Sequence, residues 1–262
     1  MTPTENEKSP RGVLVTGASG GIGRAVALAF AARGDRVAVH YDHSIGAAER
    51  TLADLPGSGH ALVRGDLSRP GTARHVAEQA TEALGGLSVL VNNAATGPSS
   101  GNAHPIQDST FEDWTAAWEA MVAVNLLGAA HLSWAVAQHL IAAQAGGAIV
   151  NVGSRGALRG EPDHPAYAAS KAGLHSLGQS LAISLAPHGI SVTSVAPGFI
   201  ATQRQAAKLQ GPDGGAIRDQ SPFGRVGTPE EVAAAVLHLA SPDALWSSGT
   251  VLDVNGASYL HP

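Results

Sequence analysis

The chain has 262 residues and a formal net charge of −5, and 44% of its residues are hydrophobic while 14% are charged. This composition is typical of a soluble globular protein, and the lack of Lys and Arg clusters argues against a nucleic-acid partner. The chain has no cysteine and none of its twelve histidines lies in a HExxH pattern, which excludes disulfides and thiolate chemistry and predicts no catalytic metal.

The N-terminal segment, MTPTENEKSP, is polar and lacks the apolar core of a signal peptide. The rest of the sequence contains no run of 18 apolar residues, which is the length that a membrane-spanning helix needs. We therefore predict a disordered tail over residues 1–10, a cytoplasmic location and no membrane partner.

Short apolar runs then alternate with longer helical stretches as far as the C-terminus. The runs are GVLVTG, RVAVHY, HALVRGDL, LSVLVNNAA, GAIVNVGS, ISVTSVAPG and GTVLDVNGA. Strands that are apolar along nearly their whole length and are separated by helices indicate a parallel sheet covered on both faces. We predict an α/β fold with a single doubly wound parallel sheet of Rossmann type, formed by one domain over residues 11–262.

A glycine-rich turn, TGASGGIGRA, follows the first predicted strand and opens a helix. Glycine permits a tight turn, and the helix N-terminus offers free N–H groups to a pyrophosphate. The GxxxGxG spacing of Gly17, Gly21 and Gly23 is weak evidence alone, but its position before the first helix strengthens it. At the end of the third strand, Asp66 is placed to meet an adenine edge, or is a surface aspartate.

Two loops rich in Gly and Pro, at 96–105 and 208–222, follow strands or lie near their carboxyl ends. Open α/β sheets bind ligands at this edge, so we expect lid or binding loops there, with plain surface loops as the alternative. We assign residues 199–222 to a substrate loop.

The segment PAYAASKAG places Tyr167 and Lys171 four residues apart. On a helix this spacing brings two side chains to one face, with Cβ atoms roughly 5 to 6 Å apart. The pair could serve one site, or its two side chains could simply lay their stems along the surface.

Six motifs occur in order along the chain, namely TGASGGIG, NNAA, VAVN, VGS, YAASK and APGFIAT. Together they resemble the short-chain dehydrogenase/reductase family, in its shorter subclass, over residues 11 to about 257. Within it the chain is similar to 3-oxoacyl-acyl-carrier-protein reductases and related carbonyl reductases. NNAA departs mildly from the NNAG that is more frequent in this family.

The resemblance implies four catalytic residues. Tyr167 would be the general acid/base, and Lys171, with the positive nicotinamide ring, would lower its pKa and hold the nicotinamide ribose. Ser154 would bind the substrate oxygen, and Asn125 would support a proton relay to Lys171, or would only pack inside a helix.

The resemblance also implies a nucleotide groove that runs from the glycine turn to the APGFIAT segment. Its expected cofactor contacts are Gly17, Ser19, Gly21, Ile22, Gly23, Asp66, Leu67, Asn93, Ala94, Tyr167, Lys171, Pro197, Gly198, Ile200 and Thr202.

The end of the second strand bears on the choice between NADP and NAD. Relatives that prefer NAD usually carry an acid there, whereas this chain has Tyr41. His40, His43 and Ser44 could surround a 2′-phosphate, although Asp42 would repel it and Gly20 replaces a basic residue of many NADP users. We predict NADP, with NAD as the alternative.

Three functions follow from these residues. The first is an NADP-dependent oxidoreductase acting on a ketone or secondary alcohol of a small molecule, like a 3-oxoacyl reductase. The second is an NAD-dependent sugar, polyol or steroid dehydrogenase, and the third is a non-catalytic dinucleotide sensor. We expect a free substrate rather than one on a carrier protein, because 135–150 has no Lys or Arg and His188 stands where carrier-using relatives often have a basic residue. The alternative is that Arg155, Arg159 or Arg204 supplies a basic patch for a carrier from another direction. The resemblance and the apolar helices at 111–144 and 165–186 predict a homotetramer.

Overall fold

The architecture comes from a computed structural model that describes residues 10–261. The predicted disordered tail, 1–10, therefore lies outside the described residues except for Pro10. Seven parallel strands form one sheet in the order β3-β2-β1-β4-β5-β6-β7. They are β1 (Gly12–Val15), β2 (Arg36–Tyr41), β3 (Ala61–Arg64), β4 (Val89–Asn92), β5 (Gly147–Val152), β6 (Ile190–Pro197) and β7 (Val251–Val254).

Helices cover both faces of the sheet, so the predicted doubly wound fold is confirmed. The helices are α1 (Gly21–Ala32), α2 (Ile45–Asp54), α3 (Pro70–Leu84), α4 (Phe111–Val122), α5 (Ala129–Ala142), α6 (Gly156–Arg159), α7 (Pro165–Leu185), α8 (Ala206–Gln210), α9 (Gly214–Arg218) and α10 (Pro229–Leu239).

The strands are apolar throughout because each face of the sheet builds its own core. Along β1, Val13 and Val15 join the core that α1 and α10 cover. Leu14, which points to the opposite face, joins the core that α3, α5 and α7 cover. A strand with one face in water would alternate apolar and polar residues instead.

The strand order reverses between β1 and β4, which follow one another in space but not in sequence. Ligands of open α/β sheets bind at the carboxyl ends of the strands beside such a reversal. The glycine turn after β1 and the NNAA motif at the end of β4 meet at this point.

A long helical stretch runs through α4, a π-helical segment (Ala123–Gly128) and α5. Its range, Phe111–Ala142, has the length and the mean hydropathy, 1.5, of a membrane-spanning helix, and 44% of its most apolar window is buried. A core helix of a soluble protein reaches the same values. The π-helical segment matters for the site, since it contains Asn125 and such segments are frequent at functional sites.

Candidate active site

Four hydrogen bonds connect the glycine turn after β1 to the end of β4. The Thr16 hydroxyl accepts hydrogen bonds from the backbone N–H groups of Asn93 and Ala94, at 2.8 and 2.9 Å. In return, the Asn93 side-chain amide donates to the carbonyl groups of Thr16 and Gly17, at 2.8 and 3.2 Å. These hydrogen bonds explain the position of Asn93, and they fix the shape of the turn.

The turn fits a dinucleotide because it has no side chains where backbone must come close. Gly17 and Gly21 have φ values of +62° and +54°, which favour glycine. A Cβ on Gly23 would lie 2.4 Å from the carbonyl oxygen of Gly17. Helix α1 then begins at Gly21 with neither a capping side chain nor an acid in its first turn, so its N–H groups are free for a pyrophosphate.

His40 stabilises this turn through hydrogen bonds, and its buried ring does not face a phosphate. Its ring is 2% exposed, Nδ1 accepts from the backbone N–H of Gly17 at 3.2 Å, and Nε2 lies 3.0 Å from the Gly65 carbonyl oxygen, to which it can donate. Burial lowers the pKa of His40 to about 4, so the ring is neutral near pH 7. The expectation that His40 surrounds a 2′-phosphate is therefore wrong, since both of its nitrogens are engaged elsewhere.

The other residues at the end of β2 lie closer to the surface. Tyr41 is buried, and the Asp42 carboxylate holds the exposed His43 ring at 2.6 Å. Strand register places Arg64 directly beside Tyr41, and the Arg64 Nε donates to the Asp42 carbonyl oxygen at 3.2 Å. Sequence reasoning missed this exposed arginine, because only the β2–β3 pairing brings it to the end of β2.

Asp66 and Leu67 follow β3, as expected, and both have local partners. Asp66 accepts from the Ser68 hydroxyl at 2.6 Å, and Ser68 lowers the pKa of this carboxyl more than Arg69 does. The Leu67 carbonyl oxygen packs against Gly128, where a Cβ would lie 2.7 Å from it. Asp66 thus keeps a charged, fixed carboxylate at the groove, and its contact with adenine stays a prediction.

Three elements bring the four predicted catalytic residues together, namely the turn after β5, α7 and the π-helical segment. Ser154 follows β5, and its hydroxyl accepts from the Gly156 backbone N–H at 3.0 Å. Tyr167 and Lys171 lie on α7, and the buried Lys171 Nζ donates to the Val152 carbonyl oxygen at 2.7 Å. The predicted shared face of the helix is thus turned toward the end of β5.

Asn125 is joined to the same helix by a second path. Its amide donates to the Ser170 hydroxyl at 3.0 Å, and its carbonyl oxygen accepts from the Thr96 backbone N–H at 2.8 Å. Ser170 in turn donates to the Tyr167 carbonyl oxygen at 2.8 Å. Asn125 therefore ties the loop after β4 to the helix turn that carries Tyr167.

The protein groups alone do not prepare Tyr167 as a base. Burial raises the pKa of Tyr167, its contact with Ser154 opposes that rise, Glu161 adds to the rise, and Arg204 opposes it. Burial also lowers the pKa of Lys171 to about 8. The expectation that Lys171, together with a bound nicotinamide ring, lowers the Tyr167 pKa stays a prediction.

The APGFIAT segment crosses toward the glycine turn. The Gly198 backbone N–H donates to the Val254 carbonyl oxygen at 3.1 Å, and Ile200 is buried. Pro197 is buried at the end of β6. The Thr202 methyl group would lie 3.4 Å from a Cβ on Gly21, so the segment reaches the predicted pyrophosphate site. Ser19 in the glycine turn and Ile22 in the first turn of α1 are both partly exposed.

Two more residues, which belong to none of the six sequence motifs, support the site. Arg155 is 4% exposed, donates hydrogen bonds to Ser258 and Gln220, and lies 5.2 Å from the Phe199 ring centroid. These contacts of Arg155 connect the turn that carries Ser154 to the substrate loop. His104 accepts from the Ala166 backbone N–H at 3.1 Å through Nε2. A histidine in a loop gives no sequence signal for such a contact.

Known proteins match this chain over nearly its whole length. A family model described as Enoyl-(Acyl carrier protein) reductase matches residues 17–257. The chain is 38% identical to L-rhamnose 1-dehydrogenase (NAD(P)(+)) of Sphingomonas sp., covering 95% of this chain and 96% of the relative. It is 37% identical to the 3-oxoacyl-[acyl-carrier-protein] reductase FabG of Vibrio cholerae, covering 94% and 96% of the two chains.

A solved structure is similar over the whole domain. It is a short chain dehydrogenase from Burkholderia cenocepacia in complex with NADP, and it is 34% identical to this chain. The TM-score is 0.84, with 95% of this chain and 97% of the other covered.

Proposed function

Because the chain belongs to the short-chain dehydrogenase/reductase family, we propose that it is an NADP-dependent oxidoreductase acting on a ketone or secondary alcohol of a small molecule. Bound NADP supplies a hydride acceptor in one direction and, as NADPH, a hydride donor in the other. The observation that carries the proposal is the placement of Tyr167 and Lys171 on one face of α7, next to Ser154 at the end of β5.

In this reaction each of the four predicted catalytic residues has a separate role. Ser154 holds the substrate oxygen by a hydrogen bond, and the Tyr167 hydroxyl gives that oxygen a proton in reduction or takes one from it in oxidation. Lys171, fixed by the Val152 carbonyl, holds the ribose beside Tyr167. Asn125 holds the first turns of α7 against the loop after β4 through its hydrogen bonds to Ser170 and Thr96. This complete set disfavours a non-catalytic sensor.

The preference for NADP rests on the end of β2. No acid occupies the position of Tyr41, and Arg64 supplies a cation beside it. The solved neighbour is a complex with NADP, whereas the rhamnose dehydrogenase is named for both cofactors. Asp42 is the residue that favours NAD, since its carboxylate would repel a 2′-phosphate.

The cellular setting belongs to the same proposal. We place the protein in the cytoplasm as a homotetramer that binds neither nucleic acid nor membrane and takes a free substrate. The net charge of −5 and the apolar helix faces support this setting.

The test of the reaction is Tyr167→Phe, which keeps the ring and removes the exchangeable proton. Turnover, followed by nicotinamide absorbance over a panel of ketones and alcohols, should fall by about 10² to 10⁴. NADPH binding, measured by fluorescence, should change little. Tyr259→Phe is the matched control, because the Tyr259 hydroxyl donates only to the Leu158 carbonyl oxygen in the described structure. Normal turnover in Tyr167→Phe would contradict the assignment.

A further inference from the structure

Two side chains of opposite charge lie in different loops near the segments that carry Thr96 and Ser154. Arg204 follows the APGFIAT segment, and its Nη1 would lie 2.8 Å from a Cβ on Gly97 in the loop after β4. Glu161 follows α6, and its Oε1 would lie 2.6 Å from a Cβ on Gly156, two residues after Ser154. Glycine at both positions leaves room for these charged groups beside the site.

Both side chains lack a directly bonded partner within residues 10–261, although the charge of Glu161 also acts on the buried Arg155 guanidinium. Within residues 10–261, neither Arg204 nor Glu161 makes a salt bridge or a side-chain hydrogen bond. Both act on Tyr167 in opposite directions, since Glu161 raises the pKa of the phenol and Arg204 lowers it. Both groups therefore lie within electrostatic reach of the reacting hydroxyl, and both have hydrogen-bonding capacity to offer.

This pair of charges selects among substrates. A steroid or a long acyl chain would remove water from both groups and return no hydrogen bond, which is costly for charged groups. An anionic substrate would gain from Arg204 and be repelled by Glu161. A neutral polyol satisfies both, because its hydroxyl groups can donate to the carboxylate and accept from the guanidinium.

We infer that Glu161 and Arg204 recognise a small neutral polyhydroxylated substrate, a sugar or polyol, whose reacting carbon lies at Tyr167. The inference rests on the proposed function and selects its sugar and polyol branch over the 3-oxoacyl branch. Glu161 and Arg204 bind the hydroxyl groups that do not react, and Tyr167 and Ser154 bind the one that does.

The first experiment compares substrates on the unaltered protein. Tetritols and hexoses are measured beside a simple secondary alcohol, a hydroxy acid of similar size, a hydroxysteroid and a 3-hydroxyacyl thioester of N-acetylcysteamine. The highest kcat/KM should belong to a polyol or sugar. A steroid, thioester or hydroxy acid that exceeds every neutral polyol would overturn the inference.

The second experiment removes each charge. Glu161→Ala and Arg204→Ala should each raise KM for the best polyol at least about tenfold, since each loses a hydrogen bond to a charged group. Glu161→Gln should fall between the wild type and Glu161→Ala, because an amide oxygen still accepts from a hydroxyl. Glu78→Gln, on the exposed side of α3, is the control.

The simple secondary alcohol separates recognition from effects on Tyr167. Changing either charge shifts the Tyr167 pKa for every substrate, so the ratio of kcat/KM for polyol over simple alcohol is the quantity compared. An unchanged ratio in both alanine variants refutes the inference while turnover of any alcohol still supports the proposed function. Absence of turnover with every substrate, despite NADPH binding, refutes the proposed function itself.

Discussion

The proposed preference for NADP over NAD depends on a balance of charges among single residues at the end of β2. Asp42 is negative and 37% exposed, and the His43 ring that contacts it is 85% exposed. The exposed Arg64 reaches the Asp42 backbone from β3 through its Nε. With His40 buried and neutral, Arg64 is the residue best placed to attract a 2′-phosphate.

Arg64→Gln should therefore weaken NADPH binding about tenfold or more, the scale of a lost hydrogen bond between charged groups, and leave NADH within about twofold. Fluorescence titration with both cofactors measures the two affinities. The difference between them should shrink with added salt, because the phosphate contact is partly screened. Equal losses for both cofactors would mean that Arg64 supports the fold of β3 rather than the phosphate.

A second residue, His175, makes the fold sensitive to acid. It is 6% exposed on α7, and neither ring nitrogen has a hydrogen-bond partner within residues 10–261. Burial, followed by the charges of Lys171 and His261, lowers the pKa of His175 to about 4. Since an unfolded histidine titrates near 6.5, the unfolded chain binds more protons between these values, and stability falls as pH falls through this window.

His175→Leu should remove this part of the acid sensitivity. From pH 7.5 to pH 5.0, the free energy of unfolding should fall about 2 kcal/mol less in the variant than in the wild type. Urea titrations at equal protein concentration measure both losses. His238→Gln on the exposed face of α10 is the control, and an identical loss in His175→Leu and wild type would contradict the assignment.

At the scale of elements, the strands could be predicted because burial on both faces makes them apolar throughout. The pairing of Tyr167 with Lys171 could also be predicted, since it depends only on the helical period. The partners of His40 could not, because Gly17 and Gly65 are brought to it by strand order. The π-helical segment at Asn125 has no sequence signal of its own, since its residues suit an ordinary helix.

The loop after β4 depends on His104 in the same way. The His104 Nδ1 lies 2.8 Å from the Asn102 carbonyl oxygen, and Nε2 accepts from Ala166, the residue before Tyr167. The ring also packs edge-on against Trp114 and His164. His104 is thus a positioning residue that fastens the loop to the start of α7.

His104→Phe keeps the aromatic packing but leaves a buried N–H and a carbonyl group unpaired, at a cost of about 1–3 kcal/mol each. The melting temperature should fall, and kcat should fall about tenfold as Tyr167 loses its placement, an effect of the size that small misplacements produce. His104→Gln, which can both donate and accept, should recover part of both. Loss of stability with unchanged kcat would show that the contact serves the fold alone.

At the scale of the whole molecule, several large apolar side chains are exposed within residues 10–261, and six of them lie on two different parts of the fold. The helical patch consists of Leu127 and Trp134, which are 46% and 53% exposed on the Phe111–Ala142 stretch, and Ile183, 80% exposed on α7. The strand-edge patch consists of Leu245, Trp246 and Leu252, at and beside the edge strand β7, and Trp246 is fully exposed.

A chain that pairs with copies of itself through two different patches forms a tetramer with two kinds of two-fold interface, and we predict this assembly here. Exposed apolar groups of this size mark interaction sites, and an unpaired edge strand is a second place where copies can join. Light scattering at micromolar concentration should therefore give four times the mass of one chain.

Each of the two predicted interfaces should be disrupted independently of the other. Trp134→Glu places a charge in the helical patch and should leave dimers joined through the strand edge, whereas Trp246→Glu should leave dimers joined through the helices. The double variant should be a monomer, because a buried unpaired charge disrupts each interface. Each dimer should still bind NADPH, since the nucleotide groove lies at the ends of β1 and β4 and not in either patch. A wild-type monomer, or a tetramer that survives both substitutions, would contradict this assembly.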